Sequence, residues 1–246
     1  MTERVALVTG AGRGLGAEIA RSLASDGWSV AVNDLAEQAA AATADAIRVG
    51  GKNATPFPAD VTDEVAVADL AERVTRTLGP ITAVVANASG PQPVTHLDAL
   101  TWPDVLHHLE FFAKSPLLLA KAVLPGMKAA GRGRIIHIGS DLFERGEAGW
   151  SAYMAGKGAM LGLTRGWARE LGPYGITVNL VAPGWIPVER HGPLEPEVEA
   201  AWQTQQAVQR MGTPADVAAT VAFLASDRAA FITGERIAVN GGHYLG

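Results

Sequence analysis

A tyrosine and a lysine stand four residues apart, as Tyr153 and Lys157, in the stretch SAYMAGKGAM. A free tyrosine has a pKa of about 10, which is too high for easy proton exchange at neutral pH. A lysine ammonium close to the phenol favours the phenolate and is expected to lower that pKa. Residues i and i+4 share one face of a helix, so a helical run would aim both side chains at the same place. The pair is either an acid with its tuning cation or an ordinary exposed helix pair.

A glycine-rich stretch, TGAGRGLG at residues 9–16, lies between a predicted strand and a predicted helix. Gly10, Gly14 and Gly16 allow the backbone to turn tightly and to approach a pyrophosphate closely. The unpaired N–H groups and the positive dipole end of the following helix would then face the anion. In this strand–turn–helix context, the glycines predict a dinucleotide-phosphate cradle.

An acidic residue, Asp34, ends the second predicted strand, SVAVND. A carboxylate there accepts hydrogen bonds from the adenosine ribose hydroxyls and repels the 2′-phosphate of NADP. Alternatively, Asp34 caps the next helix. Arg13, inside the glycine loop, could reach a 2′-phosphate and so admit NADP. A fixed carboxylate should outweigh a flexible arginine that water screens, so the sequence favours NAD.

Short apolar runs alternate with Ala-rich stretches of helical period along the whole chain. The strand cores are apolar without alternation, which is typical of a parallel sheet covered by helices on both faces. We therefore predict an α/β fold: a single doubly wound Rossmann-type domain over residues 1–246 with a parallel sheet of about seven strands. Pro56 and Pro58 confine the third strand to an edge. The predicted strands are RVALVTG, SVAVND, NATPFPAD, ITAVVANA, GRIIHIGS, ITVNLVAPG and RIAVNGG.

Residues 184–200, GWIPVERHGPLEPEVEA, break this alternation with prolines and glycines and without a clear period. The segment follows the carboxyl end of a strand, where ligands bind in open α/β sheets. We interpret it as a substrate-covering loop, and an ordinary surface loop is the alternative. Trp150 and Trp185 hint at a bulky or aromatic substrate.

Composition excludes several classes of function. The net charge of −5 argues against the positively charged surface that nucleic-acid-binding proteins carry. The absence of cysteine excludes disulfides, thiolate metal sites and a cysteine nucleophile, and no histidine pair has zinc spacing on one helix, so no metal is predicted. No apolar run approaches the roughly 18 residues of a membrane span, and the N-terminus lacks the apolar core of a signal peptide. A cytoplasmic location is the default expectation.

The glycine loop TGxxxGxG, the strand IIHIGS and the YMAGK stretch together resemble the short-chain dehydrogenase/reductase family, from Val5 to Gly242. The resemblance implies reversible hydride transfer between a nicotinamide cofactor and a small-molecule ketone or secondary alcohol. It implies a catalytic set of Ser140, Tyr153 and Lys157, in which the tyrosine is the general acid/base. Ser140 would stabilise the substrate oxygen as charge develops on it. Lys157 would also hold the nicotinamide ribose.

The family's cofactor contacts fall on further positions of this sequence. Relatives are typically tetramers, so a homo-oligomer, tetramer or dimer, is also implied. Beyond the glycines, Arg13, Asp34, Tyr153 and Lys157, the implied cofactor-binding residues are Leu15, Leu35, Asp60, Val61, Asn87, Ala88, Ser89, Pro183, Gly184 and Ile186.

The sequence departs from the family's pattern at three places. Ser89 replaces a glycine after the fourth strand, and Val188 replaces a threonine that contacts the cofactor amide. Phe112 falls on the usual catalytic asparagine, which is thought to hold a water next to the lysine, and a phenyl ring cannot do so. His107 and His108 lie nearby, and we expect them to be solvated helix residues.

Two alternatives keep the fold but change the function. A cofactor-binding sensor or partner protein with little catalysis is favoured by Phe112. Halohydrin dehalogenases are similar in fold, but they carry arginine at the position of Lys157 and lack the glycine cradle. Lys157 and TGAGRGLG argue against that second alternative.

Overall fold

The computed structural model describes residues 4–193 and 195–245 and contains one sheet of seven parallel strands. The strands are β1 Val5–Val8, β2 Ser29–Asp34, β3 Ala54–Pro58, β4 Ile81–Ala86, β5 Gly133–Ile138, β6 Ile176–Pro183 and β7 Arg236–Val239. The α-helices are α1 Gly14–Ser25, α2 Glu37–Val49, α3 Glu64–Leu78, α4 Trp102–Leu109, α5 Ser115–Ala130, α6 Leu142–Arg145, α7 Ser151–Leu171, α8 Pro196–Thr204 and α9 Pro214–Ala225.

The strand order is β3-β2-β1-β4-β5-β6-β7, so the predicted Rossmann-type sheet is confirmed. The order reverses between β1 and β4, and ligands bind in the crevice at the carboxyl ends of strands at such a point. β3, with Pro56 and Pro58, pairs only with β2 and is an edge strand, as predicted. That residues 1–246 form one domain stays a prediction, and residues 1–3 and 246 lie outside the described part.

Helices cover both faces of the sheet and form two large cores and a smaller cluster around Phe112. Helix α3 shows why the helices form: its apolar residues recur at three-and-four spacing and are buried. The Asp63 carboxylate accepts a hydrogen bond from the Ala66 N–H at 2.7 Å and caps the helix start. Across the sheet, α1 and α9 pack against each other through Ile19, Leu23 and Val221. In the described ranges, no helix has the length and apolar character needed to cross a membrane.

A one-turn π-helix, Glu110–Lys114, joins α4 to α5. The wider turn of a π-helix changes the direction in which side chains leave a helix, and such turns often lie at functional sites. Phe112 is in this turn and is buried, with 1% of its surface exposed.

Residues 184–200 contain more regular structure than the sequence indicated. They include a 3-10 turn, Glu189–His191, and the start of α8 at Pro196. Pro196 suits the first turn of a helix, and Glu197 in that turn favours the positive end of the helix dipole. Helix α8 buries none of its described side chains, so it has no apolar period that would have predicted it. Leu194 lies outside the described residues.

Candidate active site

The glycine turn between β1 and α1 needs glycine for backbone reasons. Gly10 and Gly14 have φ angles of 60° and 53°, in the left-handed region. A Cβ atom on Gly16 would lie 2.1 Å from the carbonyl oxygen of Gly10. Within the described residues, the start of α1 has no side-chain cap, so its first N–H groups are available to an anion. The turn therefore fits the diphosphate of a dinucleotide, with Leu15 in the first turn of the helix.

Asn87 holds the glycine turn against the end of β4. Its side-chain amide donates to the carbonyl oxygens of Thr9 at 2.9 Å and Gly10 at 3.1 Å. The Thr9 hydroxyl accepts from the backbone N–H groups of Asn87 and Ala88, both at 3.1 Å. Asn87 is therefore a positioning residue that joins the two strands at the switch point. Sequence reasoning missed Thr9, although it opens the glycine-rich stretch.

The Asp34 carboxylate is fixed beside the same turn. Its Oδ2 accepts from the Gly12 N–H at 3.0 Å, and its Oδ1 accepts from the Ala36 N–H at 3.1 Å. Ala36 is the N-cap residue of α2, which has no side-chain cap hydrogen bond, so Asp34 braces the turn before the helix and does not cap it. The side chains of Leu35 and Arg13 are exposed nearby.

Asp60 and Val61, which the resemblance implies as cofactor-binding residues, lie in different environments. Asp60 accepts from the N–H and hydroxyl of Thr62 at 2.8 and 2.7 Å, whereas Val61 is buried in the core. The hydrogen bonds of Asp60 are local, so its carboxylate shapes the turn after β3.

Ser140, Tyr153 and Lys157 come together at the carboxyl end of β5. The Lys157 ammonium donates to the carbonyl oxygen of Ile138, the last residue of β5, at 2.7 Å. Ser140 follows two residues later; its hydroxyl accepts from the Leu142 N–H at 3.1 Å and lies close enough to the Tyr153 phenol to lower its pKa. Lys157 Nζ lies 5.5 Å from the centre of the Tyr153 ring, one turn earlier in α7.

The electrostatics of the pair differ from the sequence-based expectation. Burial raises the pKa of Tyr153 above its usual value, and the hydrogen bond of Ser140 and the charge of Arg190 oppose this only in part. Burial also lowers the pKa of Lys157 to about 7, and the charge of Arg190 adds to this effect. The expectation that Lys157 lowers the pKa of Tyr153 is therefore wrong here, because burial acts against the charged form of both groups.

Phe112 forms one wall around the lysine. The Lys157 ammonium lies 3.8 Å from the centre of the Phe112 ring, which also packs edge-on against the Tyr153 ring at 5.4 Å. Gly156 makes room for this ring, since a Cβ atom there would lie 2.8 Å from Phe112 Cδ2.

His108 is buried, with 3% of its surface exposed, so the expectation of a solvated histidine is wrong for it. Its ring centre lies 5.9 Å from that of Phe112 and 5.8 Å from that of Tyr153. Burial, helped by the charges of His107 and Lys157, lowers the pKa of His108. The reason for its burial is that it stands one helical turn before Phe112 and shares its face.

The segment after β6 lies over the glycine turn. A Cβ atom on Gly14 would lie 3.4 Å from both Glu189 Oε2 and Val188 Cβ. Arg190 Nη1 lies within 3.4 Å of the Ser89 hydroxyl, which it can donate to across the cleft. Part of the segment therefore lies close to the glycine turn and to Ser89, and its role as a substrate-covering loop stays a prediction.

Three further residues that the resemblance implies for cofactor binding lie at the end of β6 and just after it. The Pro183 carbonyl accepts from the Asp141 N–H at 2.9 Å, and the Gly184 N–H donates to Val239 at 3.0 Å. The Ile186 side chain is buried in the core.

The two tryptophans noted in the sequence lie in different places. The Trp150 ring packs edge-on against the Tyr153 ring, with centres 5.6 Å apart. The Trp185 ring instead packs against Trp202 at 5.2 Å. Only Trp150 therefore contacts a residue of the predicted catalytic set.

Asp141 was also missed by sequence reasoning. It is 1% exposed and lies 3.4 Å from the Arg145 guanidinium and 3.4 Å from the Asn240 amide. These contacts hold the loop that carries Ser140. A charged residue three positions after a buried strand was the available signal. In the described ranges, no group of three or more His, Asp or Glu side chains could hold a metal ion.

Comparison with known proteins agrees with this geometry. A family model described as enoyl-(acyl carrier protein) reductase, which belongs to the short-chain dehydrogenase/reductase proteins, matches residues 10–244. The chain is 39% identical over 244 residues to cis-4-hydroxycyclohexanecarboxylate dehydrogenase of Sinomonas cyclohexanicum, covering 98% of this chain and 96% of the relative.

Two further relatives are reductases of a different substrate. The chain is 37% identical to the 3-oxoacyl-[acyl-carrier-protein] reductase FabG of Vibrio cholerae and 36% identical to that of Escherichia coli, with 98% of each chain covered in both cases. The matches run over nearly the whole chain and include the glycine turn, the Ser140 strand end and the Tyr153–Lys157 helix. The chain therefore belongs to the short-chain dehydrogenase/reductase family of oxidoreductases.

Proposed function

We propose that the protein catalyses reversible hydride transfer between a nicotinamide dinucleotide and a ketone or secondary alcohol. The observation that carries the proposal is that Ser140, Tyr153 and Lys157 lie together at the carboxyl end of β5, at the same edge of the parallel sheet as the glycine turn. The relatives are named for substrates with a hydroxyl group on a ring carbon or a keto group on a 3-oxoacyl chain. Both groups fit this class of reaction.

The residues of the chain divide the chemistry among them. The dinucleotide, when bound, supplies or accepts the hydride. Tyr153 donates a proton to the carbonyl oxygen in the reducing direction, and its raised pKa keeps the hydroxyl protonated for that step. Ser140 donates a hydrogen bond to the same oxygen as negative charge develops on it. Lys157, held by the Ile138 carbonyl, would bind the nicotinamide ribose hydroxyls.

The cradle residues give the dinucleotide its place. The glycine turn and the free start of α1 would hold the diphosphate, and Asp34 would accept hydrogen bonds from the adenosine ribose. The Asp34 carboxylate is fixed by two backbone N–H groups, so it cannot easily turn away from a 2′-phosphate. This supports a preference for NAD over NADP, with Arg13 as the group that would admit NADP.

One observation favours a second candidate, a cofactor-binding sensor with little catalysis. Phe112 occupies the position of the family's asparagine and shields Lys157 from water. Self-association and a cytoplasmic location stay predictions that rest on the family resemblance and on the sequence.

The experiment follows the absorbance of the reduced nicotinamide with a panel of ketones and secondary alcohols. Tyr153→Phe should abolish turnover with every substrate that the wild type uses, because only the proton donor is lost. Dinucleotide binding, measured by tryptophan fluorescence, should persist in this variant. Tyr174→Phe is the matched control, since Tyr174 is exposed and contacts Lys128 far from the site. Full activity of Tyr153→Phe would disprove the assignment, and dinucleotide binding without turnover in the wild type would favour the sensor.

A further inference from the structure

Arg190 places a positive charge at the mouth of the cleft. It lies in the 3-10 turn after β6, and its Nη1 is 3.4 Å from the Ser89 hydroxyl on the opposite side. Its charge is close enough to lower the pKa values of both Tyr153 and Lys157. The guanidinium therefore lies on the Ser89 side of the cleft, near enough for its charge to act on Tyr153 and Lys157.

No carboxylate in residues 4–193 and 195–245 lies within ion-pairing distance of the Arg190 guanidinium. The adjacent Glu189 points towards Gly14, and Asp141 is held by Arg145 and Asn240. The polar groups that do contact Arg190 are Ser89 and the His191 ring, 3.2 Å from its Nε. An arginine with only neutral partners keeps its donors available for an anion, and its planar fork matches a carboxylate.

An aromatic ring, that of Trp150, flanks Tyr153 on another side of the cleft. The Trp150 ring packs edge-on against the Tyr153 ring, with centres 5.6 Å apart. The loop before α4 packs on the other side of this region: the Thr95 N–H donates to the Gly149 carbonyl at 2.9 Å. A Cβ atom on Gly149 would lie 2.5 Å from Val94 Cγ1, so the loop before α4 packs closely against the segment that leads to Trp150 at the start of α7. A ligand between Tyr153 and Arg190 would thus pass an aromatic surface and end at a cation.

We propose that the substrate is a keto acid or hydroxy acid with an apolar body, whose carboxylate is bound by Arg190 while its carbonyl or hydroxyl lies at Tyr153 and Ser140. This inference rests on the proposed function and adds the substrate class. In the reducing direction the bound reduced dinucleotide would supply the hydride to the carbonyl carbon, and Tyr153 would give its proton to the oxygen. The carboxylate takes no part in the redox step, so it contributes binding and orientation.

The test uses keto acids with one, two or three methylene groups between carbonyl and carboxylate: 3-oxobutanoate, 4-oxopentanoate and 5-oxohexanoate. Each acid is paired with its methyl ester, which keeps the carbonyl but removes the charge. At the spacing that fits best, kcat/KM for the acid should exceed that for the ester by about 10-fold or more, as expected for one charge-assisted hydrogen bond. Arg190→Met should bring the ratio close to one, and Arg190→Lys should keep part of it as a point charge.

The acid-to-ester ratio separates substrate recognition from any general effect of Arg190 on Tyr153, because a general effect changes acid and ester equally. Arg76→Met is the control for net charge, since Arg76 is exposed on α3 and pairs only with Glu72 at 3.9 Å. This control should leave the ratio as in the wild type.

Binding gives a readout that does not depend on turnover. The acids should quench the tryptophan fluorescence of Tyr153→Phe in the presence of the dinucleotide, and Tyr153→Phe/Arg190→Met should bind them at least 10-fold more weakly. Turnover of neutral ketones with an acid-to-ester ratio near one in the wild type would overturn this inference and leave the proposed function intact. Weaker dinucleotide binding in Arg190→Met with an unchanged ratio would assign Arg190 to the cofactor's phosphates instead. Turnover of no carbonyl compound would disprove the proposed function, and this inference would then fail with it unless the acids still bind through Arg190.

Discussion

The ammonium nitrogen of Lys157 lies 3.8 Å from the centre of the Phe112 ring while it donates a hydrogen bond to the Ile138 carbonyl. The ring face and the carbonyl stabilise the cation, but they replace the water that would otherwise surround it. Burial is the larger effect, and it lowers the pKa of Lys157 to about 7. The charge of this lysine therefore changes in the neutral pH range.

The first prediction concerns the pH dependence of activity. The value of kcat/KM for the dinucleotide reports ionisations of the free enzyme. If the Lys157 ammonium binds the dinucleotide, this value should fall as the pH rises through about 7. In Phe112→Asn, an amide and added room for water favour the ammonium, so the fall should move to higher pH. Phe112→Leu keeps the site apolar, so the midpoint pH of its fall in kcat/KM should stay close to that of the wild type. An equal midpoint pH for the wild type and Phe112→Asn would contradict the argument.

A second prediction links Lys157 to stability. Its pKa in the folded protein is about 7, below the unfolded value of 10.5. Between these pH values the unfolded chain binds a proton that the folded protein does not, so this group makes the free energy of unfolding rise with pH. The stability is fully present above the unfolded pKa and is lost as the pH falls through this window towards 7. The slope approaches ~1.4 kcal/mol per pH unit.

Urea titrations at several pH values between 7 and 10 test this slope. Lys157→Met should remove it, and the difference from the wild type should shrink as the pH rises. Parallel curves for the two proteins would show that the lysine keeps its charge when folded.

A third prediction addresses the choice of dinucleotide. Asp34→Ala should raise the ratio of kcat/KM for NADP to that for NAD by about tenfold, because it removes both a ribose acceptor and a repulsive charge. Asp60→Ala is a suitable control, since that carboxylate bonds to Thr62 and its loss should change both dinucleotides alike. Adding Arg13→Ala to Asp34→Ala should reverse part of the gain. A flat ratio in Asp34→Ala would leave the carboxylate with only its structural hydrogen bonds.

The fourth prediction tests the packing of Phe112 against α7. Gly156→Ala places a Cβ atom 2.8 Å from Phe112 Cδ2, which should lower the free energy of unfolding by about 1–3 kcal/mol. Combining it with Phe112→Leu should cost less than the sum of the two single changes, because the smaller side chain relieves the contact.

Gly162→Ala is the matched control for this series. Gly162 lies in the same helix and has open space around it, so alanine should stabilise the protein by about 0.5–1 kcal/mol. Chemical denaturation measures all four variants, and strictly additive effects of Gly156→Ala and Phe112→Leu would argue against the contact.

Much of the fold could be predicted because its signals are local. The strands are short apolar runs that parallel pairing buries on both faces, and α3 carries its own cap and apolar period. Helix α8 escaped prediction because it buries no described side chain, so its sequence has no period to detect. The glycine turn could also be predicted from the sequence, because Gly10 and Gly14 adopt backbone angles that other residues avoid.

The sequence by itself determined the alternation of strands and helices along the chain, the glycine turn, and the spacing that puts Tyr153 and Lys157 on one helix face. Tertiary structure decided the ionisation of that pair, the burial of His108 and the position of Arg190 across the cleft. The physical reason is that backbone preferences act between neighbours in the chain. Desolvation and charge depend instead on residues such as Phe112 and Arg190, which only folding brings close.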